Sequence, residues 1–124
     1  MYRTTIRMSL FAICLIGCVP AIPETDFDSS MAREVLDSAL TAWKDGKVKS
    51  LAKRTPPIRF VDEDWRAGYR LTHFEVVHPD EPIQPRKGTH IQLTLIAPHG
   101  KTIDRPAEYQ ITLSPNIAVL RSDP

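Results

Sequence analysis

The feature that most constrains this chain is a change of hydrophobic period at Thr55-Pro56-Pro57. Before the prolines, apolar residues recur every three to four positions, and after them they alternate. Met31, Val35, Leu36, Ala39, Ala42 and Trp43 form one stripe, with Arg33, Asp37, Thr41 and Lys44 turned away. That spacing predicts an amphipathic helix with one face to bury. Asp28, Ser29 and Ser30 can each cap its start, and Gly46 is placed to end it in a left-handed conformation. Residues 48–54 add a short helical turn around Leu51 before the prolines force an extended chain.

Downstream, alternation predicts strands over residues 58–62, 69–78, 88–97, 107–113 and 117–121. Ile91, Leu93, Leu95 and Ala97 share one face of the third, and His90, Gln92 and Thr94 share the other. In the fourth, Tyr109, Ile111 and Leu113 point in, and Gln110 and Thr112 point out. One-sided alternation of this kind belongs to an antiparallel sheet with one covered face and one wet face. Pro98-His99-Gly100-Lys101 supplies a turn, and residues 79–87, with three prolines and mixed charge, form a surface loop. The expected fold class is α+β, with one N-terminal amphipathic helix packed on a curled antiparallel sheet of four to five strands in a single domain over residues 30–124.

The first residues carry an export pattern. Arg3 and Arg7 precede an apolar run from Met8 to Val19, the charged and apolar regions of a secretory signal. A helix of that length spans roughly 18 Å, short of the ~30 Å hydrocarbon core. Leu15-Ile16-Gly17-Cys18 closes the run and resembles the lipobox of bacterial lipoproteins. That resemblance implies a signal peptide over residues 1–17, acylation of Cys18 as the first mature residue, and a membrane partner held through acyl chains. The alternative is ordinary secretion with cleavage after Val19-Pro20-Ala21. On the lipidated branch Cys14 leaves with the signal and Cys18 is acylated, which excludes a cysteine enzyme. Residues 18–29, with Pro20, Pro23, Glu24, Asp26 and Asp28, read as the linker.

A wider pattern covers most of the remaining chain. Residues 39–47 (Ala-Leu-Thr-Ala-Trp-Lys-Asp-Gly-Lys), Pro56-Pro57-Ile58, residues 62–68 (Asp-Glu-Asp-Trp-Arg-Ala-Gly) and Ser114-Pro115 with Val119 and Arg121 resemble small uncharacterised exported lipoproteins of planctomycete bacteria. The resemblance implies export and a cystatin-like or NTF2-like helix-plus-sheet arrangement, without an assigned activity. A protease-inhibiting cystatin would need a Gln-x-Val-x-Gly hairpin, and Gln92-Leu93-Thr94-Leu95-Ile96 does not supply one.

The candidates for chemistry are few. A formal charge of +1 argues against nucleic acid as a partner. Trp43, Trp65 and Tyr69 are the candidate ligand-binding residues, able to line a cleft on the concave face of the sheet for a small apolar ligand or a glycan, or else to serve as core anchors. Asp62-Glu63-Asp64 reads as a solvated turn after the first strand. His73 and His78 stand an odd number of residues apart on one expected strand and so point to opposite faces, and His99 lies in a turn, which disfavours a zinc site. Lys47, Lys49, Lys53 and Arg54 form a basic run, read as a solvated face that anionic headgroups could also meet. No nucleophile elbow, phosphate-binding glycine loop or His-Glu-x-x-His is present. The expected function is therefore non-enzymatic, without catalytic residues, metal or cofactor. A tethered module would bind an envelope protein or a second copy through its sheet face or edge, and the alternative is a small-ligand binder.

Overall fold

A computed structural model describes residues 27–123. The expected signal, Cys18 and most of the linker lie outside the described residues. The elements in chain order are α1 (Ser29–Lys44), a 3-10 helical segment (Val48–Lys53), β1 (Ile58–Val61), α2 (Glu63–Arg66), β2 (Arg70–Val76), β3 (Thr89–Ile96), β4 (Thr102–Thr112) and β5 (Ile117–Arg121). The five strands form one curled sheet in the order β1-β5-β4-β3-β2, a half-barrel with α1 against its inner face. This is the α+β arrangement expected from the change of period.

Helix α1 starts at Ser29, one residue earlier than a linker ending at residue 29 would allow. Asp28 is the cap, its carboxylate accepting the Met31 amide at 3.0 Å, and Phe27 packs against the core. Of the expected stripe, Val35, Leu36, Ala39 and Trp43 are buried, but Ala32 and Leu40 take the places of Met31, which is 38% exposed, and of the partly buried Ala42, so the buried face is turned by a fraction of one position. The curl of the sheet decides this, because it wraps the side of α1 on which Ala32 and Leu40 lie, a choice that helical periodicity leaves open by one residue.

The inner face is apolar through most of its length, with Ile58, Phe60, Leu71, Ile91, Leu93, Leu95, Ala107, Tyr109, Ile111, Ile117 and Val119 all buried. Three details differ from the expected sheet. First, β1 runs parallel to β5, from Ile58 opposite Ile117 to Val61 opposite Leu120. The two lie at opposite ends of the domain sequence with no hairpin to force an antiparallel pair. Second, β4 begins at Thr102, upstream of Pro106. Pro106 pairs with Gln92 of β3 in a stretch that β5 does not reach, so its missing N–H leaves no ladder bond unmade on the open side. Third, the pairing of β2 with β3 shifts between Leu71 and His73, which changes the parity of the strand. Leu71 points in ahead of the bulge, and Phe74 and Val76 pack on the core after it. Because β2 ends at Val76, His78 belongs to the following loop, and the parity argument that paired it with His73 does not apply.

The register of α1 has a direct consequence. Truncating Leu40 to Ala should cost about 2–5 kcal/mol in urea unfolding, as for a fully buried leucine, whereas Met31→Ala should fall within about 0.5 kcal/mol of the parent.

Candidate functional site

The two helices end in the same way. Trp43-Lys44-Asp45-Gly46 closes α1 and Trp65-Arg66-Ala67-Gly68 closes α2. Gly46 at φ +69° and Gly68 at φ +89° take the left-handed conformation that a β-carbon would strain. The Gly46 amide donates to the Trp43 carbonyl at 3.1 Å and the Lys47 amide to the Ala42 carbonyl at 2.7 Å. In α2 the Gly68 amide donates to the Trp65 carbonyl at 3.1 Å and the Tyr69 amide to the Asp64 carbonyl at 3.0 Å. These paired bonds satisfy the last carbonyls of each helix and leave one tryptophan in the final turn of each. The Trp43 indole Nε1 donates to the Tyr69 carbonyl at 2.9 Å, tying the two ends together.

Between them lies an open recess of about 550 Å³ that includes Trp43, Trp65 and Tyr69. The structure thus brings together the three candidate residues, but at the end of α1 and not over the concave face of the sheet, which α1 itself fills. Trp43 is only 4% exposed and serves as a core anchor, its ring 5.9 Å from Phe60. Trp65, 5.8 Å from the same Phe60 ring, and Tyr69 are half-buried. Lys44, Lys49 and Arg70 stand around this aromatic floor, with Asp45 as the acidic residue of the lining.

Beneath α2 the inner face turns from apolar to charged. Asp62, read from sequence as part of a solvated turn, is fully buried, and Asp64 is 6% exposed. Asp62 Oδ1 caps α2, accepting the Asp64 amide at 2.8 Å and the Trp65 amide at 3.0 Å. Its Oδ2 accepts the Tyr109 hydroxyl and Arg121 Nη1, the latter at 3.1 Å. Asp64 accepts Arg121 Nη1 at 3.0 Å and Arg105 Nη1 on its other oxygen. Arg121 Nε donates to Asp123, which also accepts the Glu108 amide at 3.1 Å. The Arg105 guanidinium lies over the Tyr69 ring, 5.2 Å from its centroid, so the cluster also supports the wall of the recess. The expectation of a solvated turn fails because Asp62 continues the inward parity of Ile58 and Phe60, and the cations that make its burial tolerable arrive from β4 and β5. Two sequence signals point to it. Arg121 and Arg105 occupy inward positions of their strands, and Asp62 precedes Gly68 by the length of one capped helical turn.

Burial pushes the Tyr109 phenol well above the ordinary tyrosine range, and the Asp62 carboxylate and its hydrogen bond add to the shift. Burial opposes the charge on Arg121, but the bond to Asp123 and the charge of Asp62 outweigh it and hold the guanidinium protonated. Burial likewise works against Asp123, and the bonds from Arg121 and the Glu108 amide overcome it, so this carboxyl lies below its usual value.

The histidines are dispersed. His73 meets Glu75 at 3.1 Å on the exposed face, His78 and His90 line a separate recess, and His99 lies in the turn between β3 and β4. Among the described residues no group of three or more His, Cys, Asp or Glu side chains is placed to hold a metal ion. No helix of the described residues is long and apolar enough to cross a membrane.

The cluster makes two measurable demands. Arg121→Met would strand Asp62 and Asp64 without their shared cation, and should lower unfolding stability by about 3–5 kcal/mol. Arg121→Lys should recover only part, because one ammonium cannot reproduce the Nε and Nη1 contacts together. For pH, Tyr109 titrates higher in the folded chain than in the unfolded one, so its stabilisation is complete below pH ~10 and is lost as pH rises, at up to about 1.4 kcal/mol per unit. Tyrosinate absorbance should show Tyr109 ionising only with unfolding, and Tyr109→Phe should flatten the alkaline loss. Asp123 acts in the opposite sense, its contribution being present above pH ~4 and lost as pH falls further.

In comparisons with known proteins, no family model matches the chain, and no curated protein and no solved structure shows significant similarity to it.

Proposed function

We propose that this chain is a lipid-tethered, extracytoplasmic, non-enzymatic binding module, and that its ligand surface is the recess of Trp43, Trp65 and Tyr69. The observation that carries the reading is that two helix ends, 22 residues apart in sequence by their glycines, are bonded to one another around a half-exposed aromatic floor. An aromatic surface left partly open in a folded chain, with cations at its rim, suits a flat ring or sugar face that carries an acidic group. Asp62 and Asp64, behind the recess, are engaged in the bonds that hold α2, and among the described residues the lining itself carries a single carboxylate, Asp45, which favours a binding role for the site over paired acid–base work. The lipobox at Cys18 and the resemblance to planctomycete lipoproteins support export and the tether.

Docking of a partner on a sheet edge has less in its favour. The edge strand β2 carries a bulge and presents Arg70, His73 and Glu75 to solvent, and β1, at the other edge, is four residues long and follows two prolines. Charge, bulges and short strands disfavour the addition of another strand.

The chain has two tryptophans and both line the recess, so tryptophan emission excited clear of the tyrosines reports on this site, chiefly through the more exposed Trp65. Titration with a panel of acidic sugars and aromatic carboxylates should shift or quench the emission saturably, and Trp65→Ala should abolish the response while the fold persists. A flat response across the panel would count against the recess. The tether is tested by the intact mass of protein extracted from its own membranes. A chain that starts at Cys18 with added acyl groups, absent from Cys18→Ser, supports it, and a plain mass starting at Ile22 overturns it.

A further inference from the structure

We infer that the exposed strip of Lys47, Lys49, Lys53, Arg54 and Arg59, with the apolar groove beside it, is a docking surface for anionic phospholipid headgroups of the membrane that holds the tether. The inference rests on the tethered reading for its geometry but has charge evidence of its own. From Lys47 to Val61 the chain contains these five cations and no acid. All five are exposed, and among the described residues none of them is in an ion pair. They lie within 13 residues of chain on the 3-10 segment, its flanks and β1, and Ala52 and Arg59 of that stretch line the groove. Asp45, two residues before Lys47, and Asp28 and Glu34 at the start of α1 are also exposed, three acids against the five cations.

The groove gives the strip a place to rest on a bilayer. It has a volume of about 770 Å³ and its walls include Met31, Pro56, Pro57, Leu113, Pro115 and Ile117. Arg59 is the one charged side chain among its lining residues. Met31, 38% exposed, stands at this groove only four residues beyond Phe27, where the described chain begins. On the tethered reading, a linker of about ten residues keeps the domain close to the lipid. Each cation near an anionic surface adds a modest attraction that falls off within a Debye length. Tethering raises the effective concentration of the surface, so contacts too weak to recruit a free protein are enough to orient a bound one.

The test uses the full chain extracted from membranes, its acyl state read by intact mass. It is reconstituted on vesicles of phosphatidylcholine alone, or with about one-third phosphatidylglycerol to supply the anionic surface. Amine-reactive labelling, read lysine by lysine, should be several-fold slower at Lys47, Lys49 and Lys53 on the anionic vesicles and unchanged at Lys87 and Lys101. High salt should erase the difference. The double variant Lys53→Gln with Arg54→Gln, at exposed positions outside the recess, should lose most of the protection of Lys47 and Lys49. Equal labelling on both vesicle types, from a chain shown to be acylated, overturns the docking surface and leaves the tether standing. A chain without acyl groups that floats with anionic but not with neutral vesicles overturns the tether and supports the surface.

Discussion

The Arg121 guanidinium is the point on which one end of this domain is hung. It stands on the inward face of the last strand, bonded to the carboxylates that follow β1 and, through Nε, to Asp123 in the tail. Through Asp62 it fixes the cap of α2; through Asp64 it shares a carboxylate with Arg105 on β4. Four parts of the chain thus meet at one cation, with the Tyr109 hydroxyl closing the fourth bond on Asp62. Buried charges of this kind are tolerated only when every partner is in place. The cluster is therefore weak as a net source of stability and strong as a specifier of arrangement, because a displaced α2 would leave carboxylates uncompensated.

That specification reaches the surface through α2. This helix is a single turn and could not hold its shape alone. Asp62 caps it from below, Gly68 closes it, and Phe60 supports the ring of Trp65 from the core. The same Phe60 lies against Trp43 and stacks on Tyr109 at 6.4 Å, so the aromatic floor of the recess and the charged cluster share one wall. A site assembled from helix ends over a rigid cluster is pre-organised, which lowers the ordering cost of binding.

The recess and the basic strip meet at Lys49. One presents rings and a few cations around a hollow, the other exposed cations and an apolar groove that meets them at Arg59.

The sequence by itself determined the layers. Periodicity is a local property, so the helix with its Gly46 end, the five strands and the inward faces of β3 and β4 were legible from the spacing of apolar residues. Trp43, Trp65 and Tyr69 were legible as large residues that must pack somewhere. What tertiary structure decided was everything that depends on distant partners. The rotation of α1 away from Met31, the parallel pairing of β1 with β5 and the bulge at Thr72 follow from how the sheet curls and closes. The burial of Asp62 and Asp64 depends on arginines 41 to 59 residues away, and the recess on a bond between two helix ends. A carboxylate beside a turn is at home in water until the fold brings it a cation, and no local pattern records that the cation will come.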